Sequence, residues 1–112
     1  MAIAVTEATF DRDVVELSAK TPVVVDFWAE WCGPCKALSP ALEAAEASRG
    51  GRVLLAKVDV DSNKALSGRF GVQGIPTLIL MTGGREQARQ TGAAPENVLR
   101  TWLEQHIGVA AR

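Results

Sequence analysis

The chain has only two cysteines among 112 residues, and they stand three apart in Trp31-Cys32-Gly33-Pro34-Cys35-Lys36, where a strand pattern gives way to a helical one. Before the pair, Val23-Val24-Val25-Asp26-Phe27-Trp28-Ala29 is a near-continuous β-branched and aromatic run of the kind buried on both faces of a parallel sheet. After Pro34 the period becomes helical. Leu38, Leu42 and Ala45 share a face, and Gly50-Gly51 ends the element. Pro34 suits the first helical turn, where its missing N–H would have no partner anyway. The spacing therefore predicts a β-α unit with Cys32 at the helix N-terminus and Cys35 one turn further on.

Residues three apart on a helix lie about 5 to 6 Å from each other, a separation that a disulfide spans. The pair can close without unfolding anything. The positive end of the helix stabilises an anion by roughly 0.3 to 2 kcal/mol, which places the Cys32 thiol up to about one pK unit below the ordinary value of ~8.5. Cys32 is thus the expected nucleophile and Cys35 the thiol that resolves a mixed disulfide. Other uses of the pair fit less well. A structural zinc site needs four ligands and only His106 is left to join the cysteines, so no metal is expected. Covalent haem attachment needs His where Lys36 stands, and a purely structural bridge across so short a loop would add little.

With twelve basic and thirteen acidic side chains the net charge is −1, so no field draws the chain to nucleic acid or a membrane surface. The start, Met1-Ala2-Ile3-Ala4-Val5, lacks the pattern of a leader, and no apolar run approaches a membrane span. A cytoplasmic location is expected, where an isolated CxxC serves catalysis more often than architecture. One domain over 1–108 is expected, followed by a short mobile tail at 109–112.

The rest alternates strand and helix. Ile3 to Thr6 reads as a first strand, and Thr9 as the cap of a helix with Phe10, Val14 and Leu17 on one face and Asp11 and Asp13 at its positive end. Val53 to Asp59 reads as a second buried strand, and Asn63 to Phe70 as a short helix. Thr77 to Met81 and Glu86 to Thr91 form a hairpin through Gly83-Gly84. Pro95 opens a last helix carrying Val98, Leu99, Trp102, Leu103 and Ile107 inward, and Gly108 stops it. Pro40 is expected to kink the CxxC helix. The order β-α-β-α-β-α-β-β-α predicts an α/β fold, a central five-stranded mixed sheet flanked by four helices, with three parallel strands and an antiparallel hairpin. The cysteines then lie at the carboxyl end of a central strand, where ligands dock on such sheets.

Asp26-Phe27-Trp28-Ala29-Glu30-Trp31-Cys32-Gly33-Pro34-Cys35-Lys36, Pro40, Ala56-Lys57-Val58-Asp59, Gly74-Ile75-Pro76-Thr77, Gly84 and Gly92 together resemble the thioredoxin family over essentially the whole length. The resemblance implies the thioredoxin fold and a general protein disulfide reductase with no bound cofactor beyond the redox-active Cys32-Cys35 disulfide. It further implies recharging by an NADPH-dependent thioredoxin reductase. The chain has no glycine-rich dinucleotide fingerprint of its own, so NADPH is used indirectly. Ribonucleotide reductase, peroxiredoxin and methionine sulfoxide reductase are the acceptors the family implies, and a monomer is expected. The resemblance also implies a cis bond before Pro76, with the Ile75 backbone pairing with substrate. Trp31, Gly33, Pro34, Gly74, Ile75, Pro76, Thr77, Gly92 and Ala93 would form the surface that receives it.

Asp26 is an odd residue for a strand core unless it acts. Burial raises its pKa toward neutrality, which suits it to take the Cys35 proton, and Lys57 is expected to join Cys32, Cys35 and Asp26 in the catalytic set; otherwise Asp26 is a structural partner of Lys57. Trp28 and Pro40 are expected to shape the site without taking part in it. Lys64 and Met81 depart from the commoner Pro and Phe of the family. A disulfide isomerase or oxidase is the alternative within the same chemistry, disfavoured because Pro34 offers no charge to stabilise the thiolate further. A non-catalytic binding subunit is the alternative outside it.

Overall fold

The computed structural model describes residues 2–109. Residues 110–112 of the expected tail lie outside the described residues. Five strands, β1 (Ala2–Ala4), β2 (Val23–Trp28), β3 (Leu54–Asp59), β4 (Thr77–Thr82) and β5 (Arg85–Thr91), form one sheet in the order β1-β3-β2-β4-β5. β1, β3 and β2 are parallel, while β4 runs antiparallel to both β2 and β5. This is the expected mixed sheet, and β2 lies at its centre. The hairpin turn holds Gly83 at φ 59° and Gly84 at φ 83°, left-handed at both positions, as a two-residue turn between twisted strands requires.

The helical segments are α1 (Asp11–Glu16), extended by a tight turn at Leu17–Ala19, α2 (Gly33–Ala47), α3 (Lys64–Arg69) and α4 (Glu96–Ile107). α1 is wound more loosely than an α-helix, then tightens. Thr9 does not cap it by its side chain. Its hydroxyl oxygen instead accepts the Thr6 N–H at 2.9 Å, closing a turn that ends the N-terminal segment. Val98, expected inward, is exposed, whereas Leu99, Trp102 and Leu103 are buried and Ile107 is half-buried. α4 therefore turns a narrower stripe to the core than its five apolar residues suggest. α2 continues unbroken through Pro40.

Side chains alternate across β2. Val23, Val25 and Phe27 enter a core with Phe10, Val14, Val58, Leu66 and Ile79, under α1 and α3. Val24 enters the opposite core with Leu38 and Leu42 of α2, Leu78 and Leu80 of β4, and Leu99, Trp102 and Leu103 of α4. By the same two-residue period Asp26 and Trp28 leave the strand on the α2 side. The sheet thus delivers a carboxyl group and an indole beneath the helix that begins at the cysteines.

Candidate functional site

Cys32 is the N-cap of α2, in extended conformation (φ −91°, ψ 103°), and its sulfur accepts the Cys35 N–H at 3.2 Å. Ala29 at the end of β2 receives the Cys32 N–H at 3.1 Å, which ties the strand to the helix. The cysteines are joined as a disulfide with Cα atoms 5.3 Å apart. Both sulfur residues are nearly covered, Cys32 at 4% exposure and Cys35 at 1%, so what little is open belongs to Cys32. They form a small apolar cluster with Ala29, Trp28, Val60 and Ile75.

Asp26 is 1% exposed, and its Oδ1 has no hydrogen-bond partner. Burial pushes its carboxyl up from the ordinary 3.8 to about 6, opposed by the positive charge of Lys57. Lys57 is its register partner on β3, yet no ion pair joins the two within 4.0 Å among the described residues. Instead the ammonium donates to Ser39 Oγ at 3.1 Å and stands 4.5 Å over the Trp28 ring. The alternative of a structural pairing of Asp26 with Lys57 is therefore absent as a direct contact.

The bond before Pro76 is cis. The neighbouring loop is stapled by Gly92 N–H to Pro76 O at 2.8 Å and by the Thr77 hydroxyl to the Gly74 carbonyl. Pro76 and Thr77 are buried, Ile75 is half-buried, and Gly33, Pro34, Gly74 and Ala93 are exposed. Gly92 adopts φ 93°, a conformation open to glycine. Trp31, Gly74 and Ile75 line an open groove of about 390 Å³ with Val60, Lys64, Ser67, Val72 and Gln73. Trp31 is 70% exposed, its indole N–H held by Asp61 Oδ2 at 2.8 Å. Trp28 is half-buried against the cysteine cluster, and Pro40 is exposed on α2.

The residues that the sequence did not single out are Ser39, Val60, Asp61, Ser67, Val72 and Gln73, while Lys64 of the groove was noted only as a departure from the family. Val60 carried a signal. Its N–H bonds Trp28 O at 2.9 Å, so it marks the carboxyl end of β3 beside that of β2, the edge where ligands dock. Ser39 carried one too, being four residues after Cys35 on the same helix face.

The sequence model of the family described as Thioredoxin matches residues 1–105. The thioredoxin of Rhodospirillum rubrum is 43% identical over 103 residues, covering 92% of this chain and 97% of the relative. That of Haemophilus influenzae is 41% identical over 97 residues, covering 87% and 91%. That of Pseudomonas aeruginosa is 40% identical over 105 residues, covering 94% and 95%.

Proposed function

The chain belongs to the thioredoxin family and is a thiol-disulfide oxidoreductase built on Cys32 and Cys35, and from that premise we propose how its residues divide the work of reducing protein disulfides. The reduced protein attacks with the Cys32 thiolate, which the free N–H groups at the start of α2 stabilise. A Cys32–substrate bond forms as the substrate S–S bond breaks, and one substrate thiolate leaves. Cys35 then gives its proton to the Asp26 carboxylate and attacks Cys32 Sγ. The second substrate thiolate departs, and two electrons have passed from the dithiol to the substrate, leaving the disulfide.

The observation that carries this reading is the pairing of a helix-capping cysteine with a buried carboxyl whose pKa is pushed up to about 6. At neutral pH such a carboxyl is mostly ionised, and it is roughly a hundred times more basic than one at its ordinary value. Trp31, Gly33, Pro34, Gly74, Ile75, Pro76, Gly92 and Ala93 receive the substrate. The Ile75 backbone pairs with an extended segment as a short added strand, which tolerates many side-chain sequences. Thr77, buried, holds the Gly74 carbonyl in place, while Trp28 and Pro40 shape the loop and helix.

Electrons return from NADPH through a thioredoxin reductase. The acceptors are protein disulfides of the kind formed by ribonucleotide reductase, peroxiredoxin and methionine sulfoxide reductase. The chain acts as a monomer in the cytoplasm. No helix of the described residues is long and apolar enough to cross a membrane.

The midpoint potential of the Cys32–Cys35 couple at pH 7, read by equilibration with glutathione or dithiothreitol buffers, tests the direction of electron flow. A value near or below about −250 mV is expected of a reductant; one above about −200 mV would make the protein an oxidant or isomerase, on a scale in which thioredoxin is itself a reference point.

A further inference from the structure

Lys57 and Asp26 are side by side on adjacent strands, in register and on the same face. Strands lie about 4.8 Å apart, so a lysine in this position can reach the carboxylate. It does not. Its ammonium is on Ser39 Oγ at 3.1 Å and over Trp28 at 4.5 Å, and Asp26 Oδ1 is left without a partner.

The Ser39 hydroxyl does not follow the usual habit of helical hydroxyls, and unlike Ser67 on α3, whose Oγ has no hydrogen-bond partner, it has a charged one. Hydroxyls in helices ordinarily turn back onto a carbonyl three or four residues earlier. Ser18 does so to Val15 at 2.8 Å, Ser48 to Ala45 at 2.7 Å and Thr101 to Asn97 at 3.0 Å. Ser39 bonds Lys57 instead. A hydrogen bond from a charged donor is about twice as strong as a neutral one, which is enough to orient a flexible four-carbon stem.

We propose that Ser39 is a positioning residue whose hydroxyl holds the Lys57 ammonium against α2 and away from Asp26, keeping the buried carboxylate unpaired and free to accept the Cys35 proton. This rests on the role given to Asp26 above. The titratable groups on this face are few. Lys57 and, two residues on, the half-buried Asp59, whose Oδ1 accepts the Asp61 N–H at 2.9 Å, come from β3 and Cys35 from α2, whereas β4 and α4 supply Leu78, Leu80, Leu99, Trp102 and Leu103, none of them ionisable. Lys57 is the one charge that moves the Asp26 equilibrium against its burial. Where its ammonium is tied therefore decides how basic Asp26 is.

The test is the titration of the Asp26 carboxyl, followed by carbon NMR in the oxidised protein, in which the cysteines do not titrate. Ser39→Ala frees Lys57 to pair with Asp26, and the midpoint should fall from about 6 by about one pH unit, a tenfold loss of proton affinity, as a carboxyl gaining a close cation does. Alanine is the best helix former, so folding is not at risk. Ser39→Thr keeps the hydroxyl and should keep the midpoint. In a Lys57→Met background, Ser39→Ala should shift nothing further, since the effect runs through the ammonium. An unmoved midpoint in Ser39→Ala, or the same shift without Lys57, overturns the proposal. The titration does not depend on turnover. If Asp26→Asn left exchange kinetics intact, the proton-acceptor role would fail while the titration result still stood on its own.

Discussion

On one face of β2, Val23, Val25 and Phe27 join a core without ionisable side chains, closed by Phe10 and Phe70, whose rings stand 5.3 Å apart, with the buried hydroxyl residue Thr77 in register with Phe27. On the other face, one residue out of step, Val24 is followed by Asp26 and Trp28, and the neighbouring strand brings Lys57 to the same side. The two faces share strands and burial and differ in what that burial does. Under α1 and α3 it stabilises the fold by removing apolar surface from water. Under α2 most of it does the same, but at Asp26 it holds a carboxyl where its charge is poorly solvated, which costs stability and pushes the carboxyl up to about 6. If Asp26 acts as proposed, its face gives up stability for reactivity against a reserve supplied by the other.

The comparison breaks most visibly at Phe27, which is fully buried. Phe27→Ala should destabilise the fold by about 3 to 5 kcal/mol, a large share of the roughly 5 to 15 kcal/mol typical of a domain. Its Cys32–Cys35 potential and the Asp26 titration should stay as they were. Denaturant unfolding measures the first and redox equilibration the second; a matching shift in the titration would show that the two faces are coupled.

Asp26→Asn should do the reverse. In the unfolded chain this carboxyl loses its proton near 3.8, whereas in the folded protein it keeps it to about 6. The folded state therefore binds more protons between those values, and stability falls as pH rises through that window. At about 1.4 kcal/mol per pH unit, the cost is about 3 kcal/mol above pH 6. The Asn variant should recover up to that amount at pH 7 and gain nothing from it below pH 4, while its thiol-disulfide exchange slows near neutral pH. Parallel unfolding curves at pH 3.5 and pH 7 decide the point. An equal difference at both would mean that ionisation of Asp26 is not the cause.

How far each face could be read in advance follows from the same difference. The apolar patterning of both faces obeys short-range rules. The run Val23–Trp28, the hairpin at Gly83-Gly84 and the stripe Leu38, Leu42, Ala45 each state their own structure, and each stands where the pattern places it. The covalent centre was legible, because Cys32 and Cys35 three apart permit few uses, and so was the burial of Asp26 within the strand run. What was not legible depends on tertiary choice. Nothing local tells a lysine to prefer a hydroxyl on α2 to a carboxylate on the next strand, or turns Thr9 back to Thr6. Val98 shares the helical period of Leu99 and Trp102 and is still exposed, since how wide a stripe of α4 is covered depends on the elements packed against it and not on the period. The cis bond at Pro76 came from the family resemblance alone; residue types around a proline favour trans.

A smaller effect, at Trp31, separates surface from core within the site itself. With 70% of the residue exposed and its one hydrogen bond going to solvent-facing Asp61, Trp31→Ala should change stability by no more than about 0.5 kcal/mol. Yet an exposed tryptophan beside a groove is the residue type that carries binding energy when a partner covers it. Losing about 1.4 kcal/mol of such contact lowers kcat/KM about tenfold. That loss should appear only with substrates large enough to lie along the wall formed by Trp31, Val60, Gly74 and Ile75. A small disulfide such as oxidised glutathione meets the sulfurs and little else, so its reduction should slow less than about twofold, within the usual span of a surface substitution. Steady-state turnover of the variant with a protein disulfide and with oxidised glutathione reads both numbers at once. Equal losses on the two substrates would mean that Trp31 acts on the chemistry of Cys32, its chain neighbour, and not on the docking of a protein against the groove.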